Sequence, residues 1–428
     1  MSLTLTAALA LSAAPCLLPI QGSITVDAGR GPLTVSLPAG YDASEPAPLI
    51  LLLHGFGSSG ALQDSRMGFS AIQDEYGFVF CAPDGTVSEV GQRFWNATDA
   101  CCNFQGSNVD DSAYLLALIE AIEAAASIDP RSIHLMGHSN GGFMAYRMAC
   151  ENSDKIASIA TLAGATFDNP ADCVAGGPVH VLHVHGTADT AIAFGGGAIF
   201  GNPYPGALET CQLWAMRNGC ALTTTFEDDA LDLVANLAGN ETTKTFFPND
   251  CSTGGSVELW TIEGGVHTPN LSPSFAPRIV EHLLAHPKPG VMPIRYCSPA
   301  APNSSGAPAI MGATGSDVLA DNALVLTASG LPLNASGYFL SSQAEGLVMP
   351  PGSQGTLCLG GKIGRFSDNI LDSGSTGTFT LVVDLAALPS NSTTSAMIGD
   401  TWRFQAWFRD ANPQLTYNLS DAIRLTVR

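Results

Sequence analysis

The chain has 428 residues, 46% of them apolar and only 13% charged. That balance excludes a disordered tail or a coiled coil, and the length allows two domains or one large domain with an appendage. A formal charge of −21 excludes surfaces built to grip nucleic acid or anionic lipid, which need basic patches.

The first stretch, MSLTLTAALALSAAPC, is an apolar run ending in small residues. Residues 1–16 read as a secretory signal segment, although a positive n-region is missing; a structural N-terminal strand is the alternative. No later apolar run is long enough to span a bilayer. The expectation is a secreted, extracellular monomer with neither membrane nor nucleic acid as partner. Eleven cysteines agree with an oxidising compartment, and none forms a C-x-x-C metal pattern. Ten lie beyond Cys16, an even number compatible with a disulfide framework. Cys297 and Cys358, alone in the C-terminal third, are natural partners. Cys220 with Cys251 is the next pair, because a bridge there would close a strongly polar excursion. Adjacent Cys101 and Cys102 resist assignment.

From residue 22, GSITVDAGRGPLTVSLP suggests two short strands around a Gly-rich turn. The continuous apolar run LILLL at 49–53 is what a strand buried on both faces requires. Similar runs follow at 78–81, 133–136, 156–162, 179–184 and 257–262, and the clearest helical stretch is 113–126. Strands alternating with helices imply an α/β fold, a mostly parallel central sheet flanked by helices over residues 22–286. Residues 287–302, rich in Pro, Ser and Ala, read as a linker that few contacts cross. Beyond it, 303–428 carries short alternating segments such as GTFTLVVDL and TWRFQAWF, which imply an all-β sandwich module.

Gly137-His138-Ser139-Asn140-Gly141 fits G-x-S-x-G, a nucleophile elbow at a strand-to-helix turn, and the bland alternative is a Gly-rich turn with an incidental serine. A serine hydroxyl needs a base to take its proton and a carboxylate to orient that base. In α/β-hydrolases these follow in the order Ser, acid, His, on loops after strands. Asp189 follows the strand-like VHVLHVHG, and His267 follows WTIEGG, so both sit where that order requires. Asp168 and Asp172 compete as acids from an irregular segment; His282 and His286, on a C-terminal helix, read as solvated. The oxyanion donors expected are the backbone amides of Asn140 and of Phe56 in LLLHGFGSSG. The Phe56 ring, with Trp95 as neighbour, would form a substrate-binding wall, while Trp95 as a core residue is the alternative. His183-Val184-His185 offers two metal ligands without a third, and nucleotide motifs are absent, so neither metal nor cofactor is expected.

The motifs LLLHGFGSSG, APDGT, RFWNATDACC, VDDSAYLLALIEAI, DPRSIHLMGHSNGGFMAYRMAC, HVHGTADT and WTIEGGVHTP together resemble secreted esterases of the polyhydroxybutyrate depolymerase and feruloyl esterase group, over about residues 22–286. The resemblance implies an α/β-hydrolase fold and a triad of Ser139, Asp189 and His267. The group usually carries G-G-G-H before an aromatic residue; here Gly264-Gly265-Val266-His267-Thr268 departs from it, putting the local substrate wall in doubt. The expected function is a serine ester hydrolase, first a polyester depolymerase and alternatively a feruloyl or acetylxylan esterase. A peptidase or a non-catalytic polymer-binding protein are the competing readings.

Overall fold

A computed structural model describes residues 22–174, 176–247, 251–291, 293–390, 393–411 and 415–428. The signal expected at 1–16 lies outside the described residues. One sheet takes ten strands in the spatial order Ser23–Asp27, Pro32–Ser36, Val79–Cys81, Ala47–Leu53, Ile128–His138, Ser158–Leu162, His180–Gly186, Ser256–Ile262, Thr242–Phe247 and Thr225–Leu231. The strands from Val79–Cys81 to Ser256–Ile262 in that order run parallel. Antiparallel strands finish both edges.

The apolar run of the Ala47–Leu53 strand feeds both faces of this sheet. Leu49, Leu51 and Leu53 enter one core cluster, Ile50 and Leu52 the other, as the two-residue side-chain period requires. Helices α3 (Asp111–Ala125), α4 (Asn140–Glu151) and α5 (Ala207–Arg217) cover the first face. Helices α1 (Gly60–Met67), α2 (Phe69–Tyr76) and α6 (Phe275–Ala285) cover the second. Helix α3 starts where Asp110 caps it, its carboxylate accepting the Ala113 amide at 3.1 Å.

Beside two small hairpin sheets, two antiparallel sheets form the body of the C-terminal region. One carries Ile294–Tyr296, Leu415–Thr426, Thr401–Ala411, Ser336–Ser342 and Gly364–Arg365; the other carries Ile310–Gly315, Leu324–Ser329 and Phe379–Val383. Phe339, Trp402, Phe404 and Phe408 from the first share a core with Met311, Leu326 and Phe379 from the second. That is the face-to-face packing of a sandwich.

More crosses the 287–302 segment than its composition suggested. Arg131, on the Ile128–His138 strand, donates to Asp317 at 2.6 Å and to the Gly290 carbonyl at 2.9 Å. Asp317 is buried and also takes Arg428 at 2.9 Å, and Arg424 pairs with Glu45. The expectation of few contacts is corrected. A linker's own residues report its stiffness, whereas these contacts come from charged side chains on the elements it joins.

Disulfides link Cys101 to Cys102, Cys150 to Cys173, Cys220 to Cys251 and Cys297 to Cys358. Two of these pairs are those expected. Cys81 and Cys211 remain free thiols in the core beneath α3–α5, so the even count of ten does not mean ten bridged cysteines.

Candidate active site

The turn between the Ile128–His138 strand and α4 leaves no room for side chains on either side of the serine. A Cβ on Gly137 would stand 2.1 Å from the Gly141 carbonyl oxygen, and one on Gly141 would stand 2.1 Å from that of Leu53. Ser139 itself is held at φ 54°, a left-handed conformation unusual for a non-glycine residue and stabilised here by its surroundings. Its amide donates to the Leu162 carbonyl at 2.8 Å, and its own carbonyl accepts the Phe143 amide at 3.0 Å as α4 begins. These constraints account for G-x-S-x-G better than flexibility does.

His267 Nε2 lies 2.9 Å from Ser139 Oγ, and His267 Nδ1 donates to Asp189 Oδ2 at 2.7 Å. The other carboxylate oxygen of Asp189 accepts the Ala191 and Ile192 amides at 2.8 and 2.9 Å. Burial pushes the Asp189 carboxyl up, but hydrogen bonds from His185, His267 and the Ile192 amide outweigh it and hold the group well below the usual carboxylate range. Asp189 therefore stays ionised against the imidazole. Asp168 and Asp172 are exposed and stand outside these bonds.

Three further histidines support this line. His138 Nε2 donates to the His267 carbonyl at 2.9 Å and so ties the elbow to the histidine loop. Burial drives the His138 pKa down to about 4, which keeps the ring neutral. His185 Nε2 donates to the Ile192 carbonyl at 2.9 Å and stands 3.4 Å from Asp189 Oδ2. With that proton placed on Nε2, His185 Nδ1 must accept from His183 Nε2 at 3.0 Å, and His183 Nδ1 accepts from Tyr146 and Thr161 hydroxyls at 2.8 and 3.1 Å. All four ring nitrogens of the H-x-H pair are thus committed to hydrogen bonds, in a buried relay running down from Asp189.

Gly55 brings the loop after Ala47–Leu53 against the nucleophile: a Cβ there would lie 3.4 Å from that of Ser139. Phe56 follows it, and the Phe56 and Asn140 backbone amides have no hydrogen-bond partner among the described residues. The Asn140 side chain is occupied elsewhere, clamping the Trp95 backbone through bonds of 2.8 and 2.9 Å.

Trp95 is wholly buried, and its indole donates to the His54 carbonyl at 3.0 Å. As a wall facing substrate, Trp95 is therefore corrected: it props the Phe56 loop from below. The exposed aromatic surface lies elsewhere. Phe56, 42% exposed, packs 5.2 Å from Phe104, which packs 5.0 Å from the 85%-exposed Phe200. Phe104 and Phe200 also line a hollow of about 860 Å³ with Asn96, Arg147 and Phe167. Neither phenylalanine was singled out in the sequence. The only signal for them was a bulky apolar residue in each of two polar loops.

Residues 33–217 match the family model described as esterase PHB depolymerase. Among curated proteins, the chain is 30% identical over 246 residues to feruloyl esterase B of Piromyces equi, covering 54% of this chain and 42% of that protein. It is 27% identical over 190 residues to feruloyl esterase C of Emericella nidulans, covering 44% of this chain and 62% of that one. The chain thus spans less than two thirds of the length of these relatives. Among solved structures, an acetyl xylan esterase from Aspergillus awamori aligns with 61% of this chain and 97% of its own, at 16% identity and a TM-score of 0.43. Residues 33–217, which include the elbow and Asp189, are thus similar to the esterases that the PHB depolymerase model describes.

Proposed function

We propose that the chain is a serine carboxylic ester hydrolase in which Ser139 is the nucleophile, His267 the general base and acid, and Asp189 the orienting carboxylate. The observation that carries this reading is the continuous bond path Asp189–His267–Ser139 at 2.7 and 2.9 Å. Ser139 Oγ attacks the ester carbonyl as His267 Nε2 takes its proton, and the Phe56 and Asn140 amides receive the oxyanion. His267 then returns the proton to the departing alcohol, leaving an acyl-serine. Water, deprotonated by His267, attacks that acyl group and releases the acid. Asp189 stays ionised throughout and stabilises the imidazolium. A fluorophosphonate probe should label the parent and spare Ser139→Ala; equal labelling of both would sink the assignment.

For substrate, the favoured reading is a polyester of short hydroxyacids, cleaved outside the cytosol. The family description supports this, and so does the exposed line Phe56–Phe104–Phe200, which can lie along an apolar chain. Four disulfides support the oxidising compartment. Feruloyl esters are the second reading, favoured by the names of the relatives. Incubation with a polyhydroxybutyrate film and, separately, with methyl ferulate decides between them. Soluble hydroxyacid oligomers support the first; fast ferulate release with no film product reverses the order.

A further inference from the structure

The amino ends of the parallel strands, opposite the triad, carry a second group of ligand-type side chains. Glu258 comes from the Ser256–Ile262 strand, and His282 and His286 come from the end of α6. Helix α6 buries Phe275, Ile279, Val280 and Leu283, and His282 falls on that same stripe, one and two turns on from Ile279 and Phe275. The expectation of solvated histidines is therefore corrected: His282 is buried and His286 partly so.

His282 Nδ1 stands 3.5 Å from Glu258 Oε1, and one ligand atom from each of the three residues lies within 4.8 Å of the others. The His282 and His286 rings are 4.2 Å apart between centroids. His286 Nδ1 donates to the His282 carbonyl at 2.7 Å, so its Nε2 presents a lone pair. That is the pattern of a metal-binding histidine, whose second nitrogen is held by a backbone carbonyl. The His282 nitrogen that faces Glu258 is Nδ1, and this is the atom an ion would share with the carboxylate; Nε2 is buried with no hydrogen-bond partner among the described residues. A hollow of about 470 Å³, bordered by His180, Leu284 and Pro287, lies beside this corner, though none of Glu258, His282 and His286 lines it.

We propose that Glu258, His282 and His286 bind one divalent transition-metal ion of the Zn²⁺ type, as a structural site. Two imidazoles and one carboxylate suit zinc, whereas magnesium and calcium prefer all-oxygen shells. Donors in a zinc tetrahedron with bonds of about 2.0–2.1 Å are roughly 3.3 Å apart, so the Glu258–His282 edge is nearly in place and the His286 ring has to swing inward. The ion would fasten α6 to the strand that leads into the His267 loop.

The test uses the full-length protein, stripped with a chelator and titrated with Co²⁺, whose visible absorption reports tetrahedral nitrogen and oxygen ligands. The expected result is one ion per chain, displaced by Zn²⁺, with a higher melting temperature in either metal. His286→Gln, at the partly exposed end of the helix, should weaken binding at least about tenfold. The same variant should leave nitrophenyl ester hydrolysis unchanged. Glu258→Gln should act alike; should it fail to fold, His286→Gln alone decides. Absence of binding below millimolar Co²⁺, or an unaltered spectrum and affinity in His286→Gln, overturns the proposal.

Discussion

The nine histidines divide between the two ends of the parallel sheet, and the two ends treat them differently. At the carboxyl ends, His54, His183, His185 and His267 have both ring nitrogens bonded, and His138 holds the His267 carbonyl through Nε2. His54, for example, donates from Nδ1 to the Gly55 carbonyl and accepts the Gly85 amide at Nε2. At the amino ends, His134, His180, His282 and His286 crowd together, and two of them bury a nitrogen with no partner among the described residues. The first end is finished as it stands, every proton assigned by a fixed acceptor. The second is held by packing and by the Arg131–Asp317 contact nearby, and its polar groups are under-satisfied. The lesson is that substitutions at one end should move turnover and leave melting alone, while those at the other should do the reverse.

The largest expected effect is at the carboxyl end. Ser139→Ala should lower ester turnover by on the order of 10⁶-fold, because no other nucleophile is on the proton path, while the melting temperature stays at the parent value. Residual activity near the parent's would break the comparison at once. Asp189→Asn should cost about 10⁴-fold by presenting the wrong partner to His267 Nδ1, measured on the same nitrophenyl ester.

His138 sharpens the boundary, since it is a stability group inside the site. An unfolded histidine takes its proton near pH 6.5, whereas folded His138 resists until about 4. Its contribution is complete above about pH 6.5 and drains away as the pH falls toward 4, worth about 3 kcal/mol over that window. His138→Gln keeps an N–H for the His267 carbonyl and removes the titration, so its melting temperature should decline less steeply between those pH values. An unchanged slope would assign the acid sensitivity to other groups.

At the amino end, Asp317→Asn should destabilise by about 2 kcal/mol, less than the loss of an isolated buried pair, because Arg131 keeps Asp129. Soluble-ester turnover should not change. A chain ending at Pro289 should likewise still hydrolyse soluble esters if it folds; a folded but inactive product would mean that the β module completes the site. The smallest effect belongs to the aromatic line. Phe200→Ala should slow film hydrolysis roughly fivefold, about 1 kcal/mol of ring contact, and leave a small acetate ester untouched.

What the sequence disclosed, it disclosed through local pattern. GHSNGG announces a turn because Gly137 and Gly141 are each excluded from bearing a Cβ by a carbonyl about 2 Å away. Asp189 and His267 stand out because each follows a buried strand directly. The alternating leucines and isoleucine of LILLL likewise needed only their own spacing to be placed between two layers. Trp95 could not be oriented that way: whether an indole faces solvent or props a loop depends on Asn140, distant in the chain. Phe104 and Phe200 meet only in the folded protein, and so do His185 and Asp189's second oxygen. His282, read as solvated, was legible as buried, since its spacing from Phe275 and Ile279 already put it on the apolar stripe of α6.

The two free thiols among the described residues give the molecule an internal clock of its own opening. Cys81 ends a central strand and Cys211 lies within α5, both sealed in the same core cluster. Burial pushes the Cys81 thiol up to about 12 and that of Cys211 higher still, so at neutral pH neither offers the thiolate that alkylating reagents attack. With the remaining described cysteines bridged, reagent uptake under non-reducing conditions counts excursions in which the sheet's first layer comes apart. Cys81 and Cys211 sit in different elements, so the order in which they are trapped would tell whether strand or helix is released first.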